Sequence, residues 1–135
     1  MDGESLFHIA SEFSVSYAPD LPGIVMTWRG YHTSASFRAQ NESVLTTLAA
    51  HRATKILCNI GHFLLIGSED QAWLSGNWLP RAMDAGLRHA AIVTPLYFFN
   101  RVAVSEVVQR LDSSRLRVEY FEGPEAAGDW LRSVS

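Results

Sequence analysis

Residues 68–95 read SEDQAWLSGNWLPRAMDAGLRHAAIVTP, and this stretch decides the fold class of the chain. Ser68 and Gln71 have the spacing of a capping box at the start of a helix, with Ser68 as the N-cap. Apolar side chains then recur on one helical face, at Leu74, Trp78, Ala82 and Ala85. Gly86 predicts the end of the helix. The apolar run 89–94 predicts a strand covered on both faces, so the stretch indicates an α/β fold.

Two features inside this helix predict departures from a regular α-helix and from full burial. Pro80 has no N–H to bond the carbonyl of Gly76, so a bend is predicted near Gly76 and Asn77. Trp73 and Trp78 are five residues apart, or about 140° around a helix, and cannot share one face. We expect Trp78 in the core and Trp73 at its margin.

The flanking sequence extends this unit to the order ββαβαβαβα. The other predicted strands are 13–18, 24–29, 55–60 and 117–121, and the other predicted helices are 34–51, 100–111 and one that begins at Pro124. Turn residues at 20–23 join the first two strands as a hairpin. Helical crossovers make strands two to four parallel. The prediction is one domain over residues 1–135, a mixed sheet of about five strands packed with about four helices.

Composition excludes several classes of protein. The chain has 135 residues, 47% hydrophobic and 19% charged, with a net charge of −3, and no basic stripe for nucleic acid. The single Cys58 cannot form an internal disulfide, which favours a reducing compartment. The acidic start MDGESLFHIA is not typical of a secretory signal, and no apolar run approaches the roughly 18 residues of a membrane span. We expect a soluble cytoplasmic protein without an integral membrane segment.

The loops at the carboxyl ends of the parallel strands are the candidate binding region. These loops are 30–34, 61–67 and 95–100, at the edge where open α/β sheets usually bind ligands. The candidate ligand- or partner-binding residues are Arg29, Tyr31, His32, Asn59, His62, Phe63, Leu65, Tyr97, Phe98 and Arg101. Either the polar members form one cluster beside the aromatic ones, or the aromatic ones close the sheet end or a dimer contact.

The sequence predicts no catalytic residues, metal or cofactor. Its five histidines lack HxxxH or HxH spacing, and with one cysteine they do not indicate a zinc site. No nucleophile is paired with a base, so we expect no enzymatic activity. Gly61 and Gly67 match neither a phosphate-binding loop nor a dinucleotide fingerprint.

The chain also resembles a known family. The motifs are S-E-D-Q-x-W at 68–73, W-x-P-R-A at 78–82, A-G-L-R at 85–88, and an ending with Glu122 and the pair Trp130-Leu131. Together they resemble the SpoIIAA-like branch of the STAS superfamily, small bacterial proteins also likened to the CRAL-TRIO lipid-binding fold. The resemblance implies a hairpin followed by βα units, as in the order derived above.

The resemblance also implies a regulatory role. Relatives in the superfamily are anti-sigma-factor antagonists, which are switched by phosphorylation of a serine at the place of Ser68. Glu69 and Asp70 directly follow and would repel a phosphate, so we interpret Ser68 mainly as a helix cap. Asn59 stands where many members carry Asp on the third strand.

Two functions follow as hypotheses. The first is a non-enzymatic STAS-like module that acts by protein–protein contact, including self-association as a homodimer, because its loops are too apolar for a monomer to leave bare. The alternative is a carrier or sensor of a small apolar or amphipathic, lipid-like ligand held between the same loops.

Overall fold

A computed structural model describes residues 11–135; the acidic start of the chain and His8 lie outside the described residues. The strands are β1 (Glu12–Ala18), β2 (Gly23–Gly30), β3 (Lys55–Phe63), β4 (His89–Val93) and β5 (Arg117–Phe121). The helices are α1 (Ser34–His51), α2 (Ser68–Trp73), α3 (Leu79–Asp84), α4 (Phe98–Gln109) and α5 (Pro124–Ser133). A π-helical turn, Leu74–Trp78, joins α2 to α3, so residues 11–135 contain four helical segments. The predicted order ββαβαβαβα is confirmed.

The strands form one mixed sheet in sequential order, β1-β2-β3-β4-β5. β1 and β2 are an antiparallel hairpin, while β2 through β5 run parallel. The hairpin needs Gly23, because a Cβ at this position would lie 2.7 Å from the carbonyl oxygen of Lys55. The carboxyl ends of the parallel strands therefore meet at one edge, which we call the C-terminal rim.

The core has two parts, one on each face of the sheet. Helices α1 to α4 cover the first face, where Trp28, Phe63 and Val44 are buried. Helix α5 alone covers the second face, through Ala127 and Leu131. The split follows from the topology, because successive crossovers of one hand in one direction place their helices on the same face.

The irregularity predicted at Gly76 takes the form of the π-helical turn. The N–H of Leu79 bonds the carbonyl of Leu74, five residues back, just before Pro80. Trp78 is buried as predicted, and its Nε1 donates to the carbonyl of Asn41 at 2.6 Å. Trp73 is half-buried at the core margin, as expected.

The predicted capping box is wrong. The N-cap of α2 is Gly67, no side chain caps this helix, and Ser68 is its exposed first residue. Gln71 instead donates from Nε2 to the carbonyl of Ile66 at 2.9 Å. Gly67 has the extended backbone of an N-cap, with φ −66° and ψ 161°, so the helix begins one residue earlier than predicted.

His89 lies on the second face of the sheet, between two cationic side chains. Its register partners are Lys55 on β3 and Arg117 on β5, and the ring of Trp130 from α5 lies 5.8 Å away. Its buried Nδ1 has no hydrogen-bond partner in residues 11–135. Burial first, then Lys55 and Arg117, lower the pKa of His89 below its usual 6.5.

Acid is therefore expected to destabilise the fold through His89. The unfolded state takes up a proton at about pH 6.5, whereas the folded state resists it to a lower pH, so stability is present above pH 6.5 and is lost as the pH falls below it. Urea unfolding of the wild type and His89→Gln at pH 7.5 and 5.5 measures this loss. We expect the variant to lose less stability between the two values than the wild type; an equal loss in both would contradict the assignment.

Candidate functional site

A cleft of about 380 Å³ opens at the C-terminal rim between the β2–α1 loop and the β3–α2 loop. The apolar part of its wall comes from Phe37, Phe63, Leu65, Ile66 and the exposed Tyr31. The polar part comes from Ser34 and the first turn of α2. Two of the three predicted loops thus meet at one cleft, and its lining is mixed rather than apolar.

Asp70 ties the two sides of this cleft together. It is buried, and its Oδ1 accepts hydrogen bonds from Ser34 Oγ at 2.7 Å and Arg38 Nε at 2.9 Å. The Arg38 guanidinium also lies 5.3 Å from the centre of the Trp73 ring. These contacts hold the start of α1 against α2, so Asp70 has a structural role in the cleft.

His32 is a half-buried residue of the cleft wall, and its Nε2 is bonded to the backbone. Its Nε2 lies 3.0 Å from the carbonyl oxygen of Arg29 and 3.1 Å from that of Glu12. Carbonyl oxygens only accept, so Nε2 carries the proton and donates. The ring also stands edge-on to Trp28 and Phe63, at 5.0 and 5.5 Å. These contacts fasten the β2–α1 loop and leave Nε2 unable to act as a base.

The predicted polar cluster is not formed as one group. Arg29 and His62 are register partners, on the sheet face opposite Trp28, and Asn59 pairs with Thr27 on that face. A bulge separates the two pairs, because β3 advances three residues while β2 advances two. Arg29 forms an ion pair with Glu12 at 3.3 Å. No hydrogen bond joins His32 to His62 in the described part of the chain.

The third rim loop carries an exposed apolar surface at the start of α4. Its members are Leu96, Phe98, Phe99 and Val102, which we call the aromatic patch; they are 63%, 61%, 74% and 42% exposed. The two phenylalanine rings contact each other edge to face, with centroids 5.4 Å apart. The Arg101 guanidinium lies 5.8 Å from the Phe98 ring, and Tyr97 is the half-buried N-cap of α4.

Asn100 fixes this patch to the rest of the rim. Its side chain is fully buried, accepts from the N–H of Ile66 at 2.9 Å and donates to the carbonyl of Phe63 at 3.1 Å. The first turn of α4 is thereby bonded to the β3–α2 loop. The exposed rings of Phe98 and Phe99 therefore stand on a well-anchored turn.

Comparisons with known proteins give no family assignment. A scan against protein-family models, a search of curated proteins and a search of solved structures found no match. The STAS resemblance stays a prediction.

Two further properties of residues 11–135 bear on the kind of site. No group of three His, Cys, Asp or Glu side chains in this range could hold a metal ion. No helix in the range is both long and apolar enough to cross a bilayer.

The candidate residues named from the sequence did not include Leu96, Phe99, Asn100 and Val102, although the first three lie in the predicted rim loop 95–100. The signal for Phe99 and Val102 was available, since they lie with Phe98 on the helix face opposite Ala103, Val104 and Val107. Asn100 gave no signal, because its two partners are backbone groups at the end of β3 and in the loop that follows it. Phe63 was predicted as a binding residue but is 1% exposed, stacked on Trp28 at 5.1 Å.

Proposed function

We propose that this protein is a non-enzymatic module that acts by protein–protein contact, with the aromatic patch as its contact surface. The observation that carries the proposal is the exposure of Phe98 and Phe99, at 61% and 74%, on a turn anchored by buried Asn100. Cytoplasmic location and STAS-like family membership belong to the same proposal. Their support is the buried free Cys58 and the motifs of residues 68–88.

The patch has the chemistry of a binding hot spot. Aromatic side chains and arginine are enriched where protein interfaces gain most of their energy. Phe98 and Phe99 already contact each other, and Asn100 fixes the turn between them and the core. Little conformational entropy is then lost when a partner covers the rings.

The partner we propose is a second copy of this chain. In a homodimer with a two-fold axis the same surface of each copy meets at the interface. A charged residue at its centre would therefore face the same charge on the other copy and be repelled. The four members of the patch are uncharged, and the adjacent cation, Arg101, lies over the Phe98 ring. Two copies of this surface can therefore pack together without charge repulsion among its members. Association would bury Phe98 and Phe99 of each copy.

The substitution Phe99→Asp is expected to weaken self-association at least about 100-fold, since it removes a hot-spot side chain from both sides and sets two carboxylates against each other. Sedimentation equilibrium over a range of protein concentrations measures the dissociation constant. Phe99 is exposed, so the variant should fold with wild-type stability.

Ala39→Asp is the matched control, because it adds the same charge at an exposed position of α1. It should leave the dissociation constant unchanged. The self-association proposal would be contradicted by a wild type that stays monomeric at millimolar concentration. It would also be contradicted by a Phe99→Asp variant that dimerises like the control.

A further inference from the structure

A second cavity lies between the first face of the sheet and helices α3 and α4, and it shares the buried side chains Phe37, Phe63 and Ile66 with the wall of the rim cleft. Its volume is about 110 Å³. Ile56, Cys58, Ala90 and Ile92 from β3 and β4 form its floor, and valines of α4 form part of its wall. Asn41, Cys58, Trp28 and Trp78 are its lining residues with a polar side-chain group.

The N–H donors of these side chains already have hydrogen-bond partners within the protein. Asn41 is buried and donates from Nδ2 to the carbonyl of Phe37 at 2.9 Å. Trp78 Nε1 donates to the backbone carbonyl of Asn41, and Trp28 Nε1 donates to Met26 Sδ at 3.4 Å. Burial raises the pKa of Cys58 to about 12, so its thiol stays neutral. A charged or strongly hydrogen-bonding molecule would therefore lose its hydration without gaining partners here.

The cavity is a poor site for water and a suitable one for hydrocarbon. A buried water needs two to four hydrogen-bond partners, which this lining does not provide. An engineered apolar cavity of about 150 Å³ stays dry and binds benzene or xenon, and this natural one approaches that size. Its wall includes the half-buried side chains of Leu79, Val108 and Leu111, so the way in lies between α3 and α4.

We infer that this cavity is a binding site for a small uncharged apolar molecule, about the size of one aromatic ring. The site adjoins the rim cleft but lies under the helices rather than between the rim loops, where the sequence predicted an apolar ligand. The ligand lies on the first face of the sheet, against Ala90 and Ile92. Binding there is independent of self-association through the aromatic patch.

The test uses the full chain with benzene as the probe and benzoate as its charged counterpart. Benzene should raise the melting temperature, and once its concentration exceeds the dissociation constant the rise should follow the logarithm of that concentration. Benzoate should leave the melting temperature unchanged. In methyl-labelled protein, benzene should shift the resonances of Val104 and Val107, which line the cavity, and leave Leu131, on the second face, unchanged.

Ala90→Ile places three extra carbon atoms in the cavity and should abolish both responses. Val25→Ile adds one carbon on the second face and should respond like the wild type. If Ala90→Ile does not fold, nuclear Overhauser contacts between benzene and Val104 of the wild type decide the location. Absence of any response in the wild type to benzene or to xenon overturns the inference, and so does an undiminished response in folded Ala90→Ile.

Self-association is measured in the same samples. Phe99→Asp should bind benzene like the wild type, because the patch and the cavity share no residue. Loss of dimerisation with benzene binding kept, or the reverse, separates the failure of one proposal from that of the other.

Discussion

Replacing Asn100 with leucine is expected to lower the free energy of unfolding by about 3 to 4 kcal/mol, since two buried backbone groups each lose their partner at about 1 to 3 kcal/mol. The groups are the N–H of Ile66 and the carbonyl of Phe63. Leucine has the same branched arrangement of four side-chain heavy atoms as asparagine and is larger, so the substitution leaves no cavity and the loss comes from the hydrogen bonds. Urea unfolding at pH 7.5 measures it.

The control is Asn77→Leu, which replaces an exposed asparagine in the π-helical turn. Its Oδ1 accepts from Arg81 Nε at 3.0 Å, but both side chains are accessible to water. We expect a change within about 0.5 kcal/mol, as for most surface substitutions. A loss at Asn100 no larger than that at Asn77 would show that the rim loops do not depend on this side chain.

The substitution of Asn100 should also affect the aromatic patch. Without the Asn100 bridge, the first turn of α4 is no longer bonded to the β3–α2 loop. We expect faster hydrogen exchange of the Ile66 amide and weaker self-association, even though Asn100 itself is fully buried.

Replacing Lys55 with methionine is expected to cost about 2 to 4 kcal/mol, because hydrogen bonds from a charged donor each contribute about 1.5 to 3 kcal/mol, less the desolvation that the variant avoids. Lys55 is the only lysine of the chain and is buried. Its Nζ donates to the carbonyls of Leu131 at 2.7 Å, Val134 at 2.6 Å and Leu21 at 3.2 Å. The ammonium group thus caps the end of α5 and joins it to the β1–β2 turn.

Arg132→Met is the matched control on the same helix. Arg132 is exposed and forms ion pairs with Asp20 and Asp129, so its removal should cost less than about 1 kcal/mol. Hydrogen exchange provides a second measurement, since only Lys55→Met should expose the amides of α5 ahead of global unfolding. Equal effects of the two substitutions would contradict a special role for the buried lysine.

Much of the fold could be predicted because its signals are local. α1 begins at Ser34 and ends at His51 as predicted, and the strand 117–121 is confirmed in full. Gly86 has the positive φ expected at a helix end, 121°. Such signals depend on the periodicity of nearby side chains and on backbone conformations that few residues adopt.

The candidate site could be predicted only as a region. The three loops do lie at the C-terminal rim. A bulge in β3, however, shifts the register between the pair Thr27–Asn59 and the pair Arg29–His62. His32 faces backbone carbonyls, which no sequence pattern indicates. The capping prediction for Ser68 was wrong by one residue, because Gly67 has the extended backbone of the cap.

The sequence by itself determined the α/β class, the order of the elements and the irregularity before Pro80, since each depends on residues within a few positions of one another. Only the tertiary structure decided what residues 68–95 contribute to a site. Trp78 and Ala90 line a cavity, and Asp70 holds the rim cleft, because packing brings them against α1 and α4. Contacts between distant residues depend on how the helices sit on the sheet, which local patterns do not encode.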